Sequence, residues 1–281
     1  NFEHIDDRRA QEQTDPEFQA AVAQNGATDL ADILVRDAQS GGTRFSGSLC
    51  GAGLLTCAGD PRTRQWDGGV STPILYRNRN GANIEGHVWV GNAYRSAAPG
   101  SLPGVVIETG SVQAPERWYY WAAQVLATHG YVVMTFDVQG QGRSDMTGSH
   151  DENFYKGIPA QDLGHFVEDL EDAIGFFQGP QNPQAALLDR TRLGLVGHSL
   201  GASAVSEVQQ TNPAVDAIVA WDNLSSSVTP KVPALGMSAD YGLTPTPFRE
   251  DPDPESKNGA FARWKAAGID AMQVNLRGAT H

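Results

Sequence analysis

From about Ser71 onward the apolar residues change spacing repeatedly, and each change predicts a new element. Ile74-Leu75-Tyr76 and the run from Ile84 to Val90 read as strands, with Asn80-Gly81 between them as a tight hairpin turn. Val105-Val106-Ile107 predicts a short buried strand. A helix over about 116–129 is expected to bury Trp118, Trp121, Ala122, Val125 and Leu126 on one face, ahead of a strand over 131–136. The most regular stripe is Leu163, Phe166, Val167, Leu170, Ala173, Ile174 and Phe177, spaced by threes and fours as in a helix packed on a sheet. A strand over 193–196, a helix over 200–211, strands over 217–221 and 234–237, a helix near 261–267 stopped by Gly268, and a strand over 271–276 complete the series. Strands alternating with crossover helices predict an α/β domain with a mostly parallel sheet and helices on both faces. In such a sheet the functional loops gather at the carboxyl ends of the strands.

Residues 1–70 do not share this pattern and read as an N-terminal extension to a catalytic domain over 71–281. Thr14-Asp15-Pro16 predicts a helix start ahead of Ala20, Ala21 and Val22, and Thr28-Asp29 predicts a cap ahead of Leu30, Ile33 and Leu34. Both short helices are expected to pack against the catalytic domain. The formal charge of −13 repels nucleic acid and anionic lipid, so neither is expected as a partner. No run of eighteen apolar residues is present, and a membrane span is not expected. Two cysteines, Cys50 and Cys57, lie close together in a Gly-rich stretch with no further ligand candidate nearby. A disulfide is the expected state and would imply secretion, with two free thiols as the open alternative.

Chemistry enters at Gly197-His198-Ser199-Leu200-Gly201, which directly follows a predicted strand and directly precedes a predicted helix. A serine held in a strained strand-to-helix turn needs neighbours without bulk two places to either side, and Gly197 and Gly201 supply that. The helix amino terminus aims backbone N–H groups at the place where an oxyanion would form. Ser199 is therefore the candidate nucleophile, and His198 is read as structural.

At this point the sequence resembles the α/β-hydrolase superfamily, in its serine esterase and lipase branch, from about Ser71 to the end. Ala127-Thr128-His129-Gly130-Tyr131-Val132-Val133, followed by Asp137-Val138-Gln139-Gly140-Gln141-Gly142-Arg143-Ser144-Asp145, is similar to the family's helix, strand and Asp-x-x-Gly-x-Gly-x-Ser segment. The resemblance implies the α/β-hydrolase fold and a triad in the order Ser, acid, His. His281 is the one histidine after Ser199, and it follows the last predicted strand where the family places its general base. Asp240, just past the strand over 234–237, is the expected acid, and Asp222, past the preceding strand, is the alternative. The resemblance also implies an oxyanion hole built from the backbone N–H groups of Leu200 and Ser111, with Gly110 next in order.

What the likeness implies about activity is a serine carboxylesterase working through an acyl-enzyme, without metal or organic cofactor. The short connection between the strands ending at Trp221 and starting at Ala234 leaves no room for a helical cap, so the site is expected to be open. Cutinase-like and dienelactone-hydrolase-like lidless enzymes have such sites. Trp221, Phe154, Tyr155 and Phe248 are candidate contacts for a small-molecule or polymeric ester. A peptidase or amidase of the same fold and a non-catalytic scaffold are the rival readings. In the family a final helix follows the histidine; the domain is expected to lack it, or to receive it as a separate segment of the same protein.

Overall fold

The computed structural model describes residues 68–111, 114–144, 163–222, 224–239, 258–276 and 281, together with the isolated positions Pro16 and Ala20. The expected Cys50–Cys57 disulfide and the two short N-terminal helices lie outside the described residues, apart from Pro16 and Ala20, both helical and exposed. One eight-stranded sheet organises the rest: β1 (Gly69–Arg77), β2 (Asn83–Gly91), β3 (Leu102–Glu108), β4 (Val132–Phe136), β5 (Leu188–His198), β6 (Ala217–Trp221), β7 (Ala234–Ala239) and β8 (Ala271–Leu276). Their order is β1-β2-β4-β3-β5-β6-β7-β8. β2 runs antiparallel to both β1 and β4, and every pair from β4 across to β8 is parallel.

The hairpin forms where Asn80-Gly81 predicts it, with Gly81 at a φ of +82° that a side chain would disfavour. Its tip is fastened to the helix α2 (Leu163–Gln178), because Arg79 pairs with Glu171 and Asp172. Three further α-helices lie among the described elements: α1 (Tyr120–Thr128), α3 (Leu200–Thr211) and α4 (Asn258–Ala266).

The helices divide the core in two. On one face α2, α3 and α4 bury Phe166, Leu170, Phe177, Val205, Val208 and Trp264 against alternate residues of the strands. Trp264 is wholly buried and anchors a helix that buries only one other residue, Ala260. On the other face α1 packs Ala122, Ala123 and Ala127 over Trp89, Ile107 and Val133. Among the described residues α1 is the one helix on that face. It leaves the outward residues of β8 open, with Met272 62% and Leu276 43% exposed.

The helix over 116–129 forms, but its buried face is not the expected one. Trp118, Trp121 and Val125 are exposed, while Tyr119, Tyr120, Ala122, Ala123 and Ala127 are buried. Its first turn, Glu116–Tyr119, is a 3-10 helix. Three residues per turn in place of 3.6 advance the chain further per residue, so four such residues rotate the following helix by roughly 80°. The small alanines then meet the sheet, Trp118 is left exposed, and Trp121, also exposed, reaches the sheet only through its stack on Trp221 at the end of β6.

Candidate active site

β5 ends at His198, and the chain turns at once into α3 through Ser199, whose φ of +57° and ψ of −118° lie outside the regions a serine favours. Two contacts explain why glycine flanks it. A Cβ on Gly197 would run into the backbone of Gly201, and one on Gly201 would run into the carbonyl oxygen of Thr109. The Ser199 N–H donates to the carbonyl of Trp221 at 3.0 Å, which locks the turn to the end of β6. Ser199 thus sits on a strained turn at the amino terminus of α3, as the motif predicts. Leu200 is the first residue of that helix, where N–H groups have no partner one turn earlier.

Among the described residues only one other non-glycine has a positive φ: Asp222, at +112°, directly after β6. Its carboxylate Oδ1 lies 3.3 Å from Nδ1 of His281, and both side chains are about four-fifths buried, at 20% and 18% exposure. That separation is longer than a compact charge-assisted hydrogen bond. Asp240, Phe154, Tyr155 and Phe248 lie outside the described residues. The structure brings Asp222, the alternative acid, to His281, while the expected acid Asp240 is outside the described residues.

The loop after β3 comes to the same place. A Cβ on Gly110 would approach within 2.9 Å of His198 Nδ1 and 3.3 Å of the Ser199 Cβ, so this glycine permits the loop to lie against the elbow. The Gly110 N–H donates to the Tyr119 hydroxyl at 2.9 Å, and that hydroxyl meets His198 Nδ1 at 2.8 Å. Gly110 is therefore committed elsewhere, which leaves Ser111, the next residue, as the loop's candidate oxyanion donor. Burial pushes the Tyr119 phenol well above its ordinary value; the bond from Gly110 opposes this, and the charge of Glu108 adds to it.

Two polar clusters hold the loop, and sequence reasoning assigned neither. Gln141 clamps it directly: its Nε2 donates to the Gly110 carbonyl at 3.0 Å and its Oε1 accepts the Ala114 N–H at 3.0 Å. Behind it, the buried Glu116 carboxylate meets Tyr120, His87, Thr135 and Arg143 at 2.6–2.8 Å. Asp137 accepts the N–H groups of Glu116 and Arg143. Burial, then the neighbouring Glu116, raises Asp137 to about 7, with those two N–H bonds and Arg143 pulling the other way. Gly142 adopts a φ of +54°, and a side chain there would strike the Asp137 carboxylate. The signal for this cluster was present in the spacing Asp137-x-x-Gly-x-Gly, whereas nothing in the sequence marks Tyr119 or Glu116.

Trp221, a candidate substrate contact, stacks between two aromatic neighbours, Trp121 at 5.5 Å and Tyr119 at 6.3 Å. Glu108, at the end of β3, is wholly buried, and neither carboxylate oxygen has a hydrogen-bond partner. Burial, with a contribution from Asp169, raises its pKa well above the ordinary carboxylate range. No group of three or more metal-binding side chains occurs among the described residues, nor does a helix long and apolar enough to cross a membrane.

Comparisons with known proteins agree with this geometry. The family described as serine aminopeptidase, S33, matches residues 109–228, which span the loop after β3, the turn at Ser199 and Asp222. A dienelactone hydrolase-like promiscuous phosphotriesterase from metagenomic libraries superposes with a TM-score of 0.53 at 16% identity, covering 76% of this chain and 84% of that one. An esterase of Pyrococcus furiosus gives 0.52 at 14% identity, covering 74% and 84%. The acylaminoacyl peptidase of Pyrococcus horikoshii gives 0.54 at 14% identity, covering 78% of this chain and 38% of the peptidase. These matches support a serine hydrolase of the α/β type. The sheet order, the serine on a strand-to-helix turn and the matched proteins together show that the chain has the α/β-hydrolase fold.

Proposed function

We propose that the protein is a serine carboxylic ester hydrolase that works through an acyl-enzyme. The observation that carries this reading is the pair of strained residues, Ser199 and Asp222, at the carboxyl ends of adjacent strands with His281 against the second. Backbone strain of about 1–3 kcal/mol per residue persists where the surroundings enforce it, and such residues cluster at active sites. His281 takes the proton from the Ser199 hydroxyl as Oγ bonds to the acyl carbon. Asp222, at Nδ1, holds the imidazole in the tautomer that leaves Nε2 to receive that proton. The N–H groups of Leu200 and Ser111 meet the tetrahedral oxygen. The proton then passes to the departing alcohol, and water, activated by the same imidazole, releases the acid. The substrate class is a small-molecule or polymeric ester, with Trp221 beside the acyl site.

The test is hydrolysis of p-nitrophenyl esters of increasing acyl length by the wild type and by Ser199→Ala, Asp222→Asn and Asp240→Asn. Ser199→Ala is expected to lose roughly 10⁴-fold or more in kcat, and Asp222→Asn about 10³–10⁴-fold. Asp240→Asn is expected to stay within about tenfold. The reverse ranking of the two aspartates would assign the acid to Asp240. A peptidase reading is favoured by the S33 description and the acylaminoacyl peptidase match. Faster turnover of aminoacyl p-nitroanilides than of the esters would establish it.

A further inference from the structure

His198 was read from sequence as structural, yet its ring touches both moving parts of the proposed mechanism. Nε2 lies 2.9 Å from the backbone oxygen of His281, and Nδ1 lies 2.8 Å from the Tyr119 hydroxyl, which in turn receives the Gly110 N–H at 2.9 Å. The two imidazole rings are 4.8 Å apart between centroids.

The contacts to His281 and Tyr119 select one neutral tautomer. A backbone oxygen can only accept, so Nε2 carries the hydrogen. The Tyr119 oxygen already receives the Gly110 N–H, and burial keeps its own proton in place. That proton can point at Nδ1, which then accepts it as the lone-pair nitrogen. One directed chain results: Gly110 N–H to Tyr119, Tyr119 O–H to His198, His198 N–H to His281. A cationic His198 would turn the Tyr119 proton away from Nδ1, breaking the directed chain, and set a positive charge 4.8 Å from the His281 ring.

We propose that His198 is a positioning residue whose neutral ring, protonated at Nε2, holds the His281 main chain at the elbow and, through Tyr119, fixes the Gly110 loop so that the Ser111 N–H faces the reacting carbonyl. The inference rests on the ester-hydrolase reading for its kinetic consequences alone; the tautomer itself is independent of any activity. Geometry at a reacting centre is worth orders of magnitude in rate, so a residue that sets two parts of it acts on kcat and leaves KM nearly unchanged.

Two measurements on the full chain test it. Nitrogen-15 NMR of histidine-labelled protein near pH 8, with the His198 signals assigned by His198→Gln, is expected to show Nε2 protonated and Nδ1 bare. The opposite tautomer, or a cation, overturns the proposal. In p-nitrophenyl ester hydrolysis, His198→Ala is expected to lower kcat about 30-fold with KM within about twofold. His198→Gln, which keeps a donor and an acceptor, is expected to recover most of that loss. Adding Tyr119→Phe to His198→Ala should cost little more than His198→Ala alone, because both act through one chain. Full additivity, or a Gln variant no better than Ala, overturns the positioning role. A fluorophosphonate that fails to label Ser199 in the wild type, with the NMR result as expected, sinks the hydrolase reading and leaves the His198 arrangement standing.

Discussion

Glu108 poses the sharpest electrostatic question in the chain. An ionised carboxylate with no partner would cost several kcal/mol in a dry core, so the group is held as the neutral acid. Because its folded pKa is raised, the native state binds a proton that the unfolded chain has already released above the ordinary carboxylate pKa near 4.5. Stability contributed by this site is therefore fully present at low pH and falls as pH rises, by about 1.4 kcal/mol per pH unit until the folded group ionises. Glu108→Gln removes the titration and keeps the shape. Thermal melts at several pH values are expected to show wild type and variant alike near pH 4.5, with the variant increasingly the more stable toward pH 8. A constant difference across that range would mean Glu108 is not buried as a neutral acid.

At the level of elements, the parallel strands, α2 and α3 could be read from sequence because their apolar residues face one direction with one period. Ser199 was legible for the same reason, since its glycines report a crowding that a side chain would violate. The acid is not, because two aspartates follow consecutive strands and the sequence carries no sign of which one His281 approaches; Asp222 lies against it and Asp240 is outside the described residues. α1 misleads: its two tryptophans look like part of a core stripe, but a 3-10 first turn, held by Glu116 and its four partners, leaves them exposed and buries Tyr119 and Tyr120 instead. The loop before α1 depends on a residue two elements away, Gln141, which bridges Gly110 and Ala114. Gln141→Ala is expected to release both bonds and lower kcat about tenfold, with a stability loss of about 1–2 kcal/mol. Kinetics and urea denaturation of the same preparation would check both, and an unchanged kcat would show that the loop is held without Gln141.

For the whole molecule, the two faces of the sheet differ. Three helices cover one; on the other, among the described residues, α1 stands alone and β8 presents Met272 and Leu276 to solvent. An apolar face of this kind binds hydrophobic dyes and favours self-association. Replacing Met272 with Gln and Leu276 with Lys is expected to reduce anilinonaphthalene sulfonate fluorescence by at least about half, with Tm nearly unchanged because neither side chain is buried. A large drop in Tm would show that the pair carries packing.

The left-handed backbone at Ser199 and Asp222 has one more consequence, for evolution as much as for enzymology. Glycine adopts such dihedral angles without steric cost, so Ser199→Gly and Asp222→Gly should each give a protein about 1 kcal/mol more stable than the parent and without ester hydrolysis, as paired melting and activity assays would reveal. Selection for stability alone would then favour glycine at both positions, so a serine and an aspartate at those two angles are the choice stability would not make.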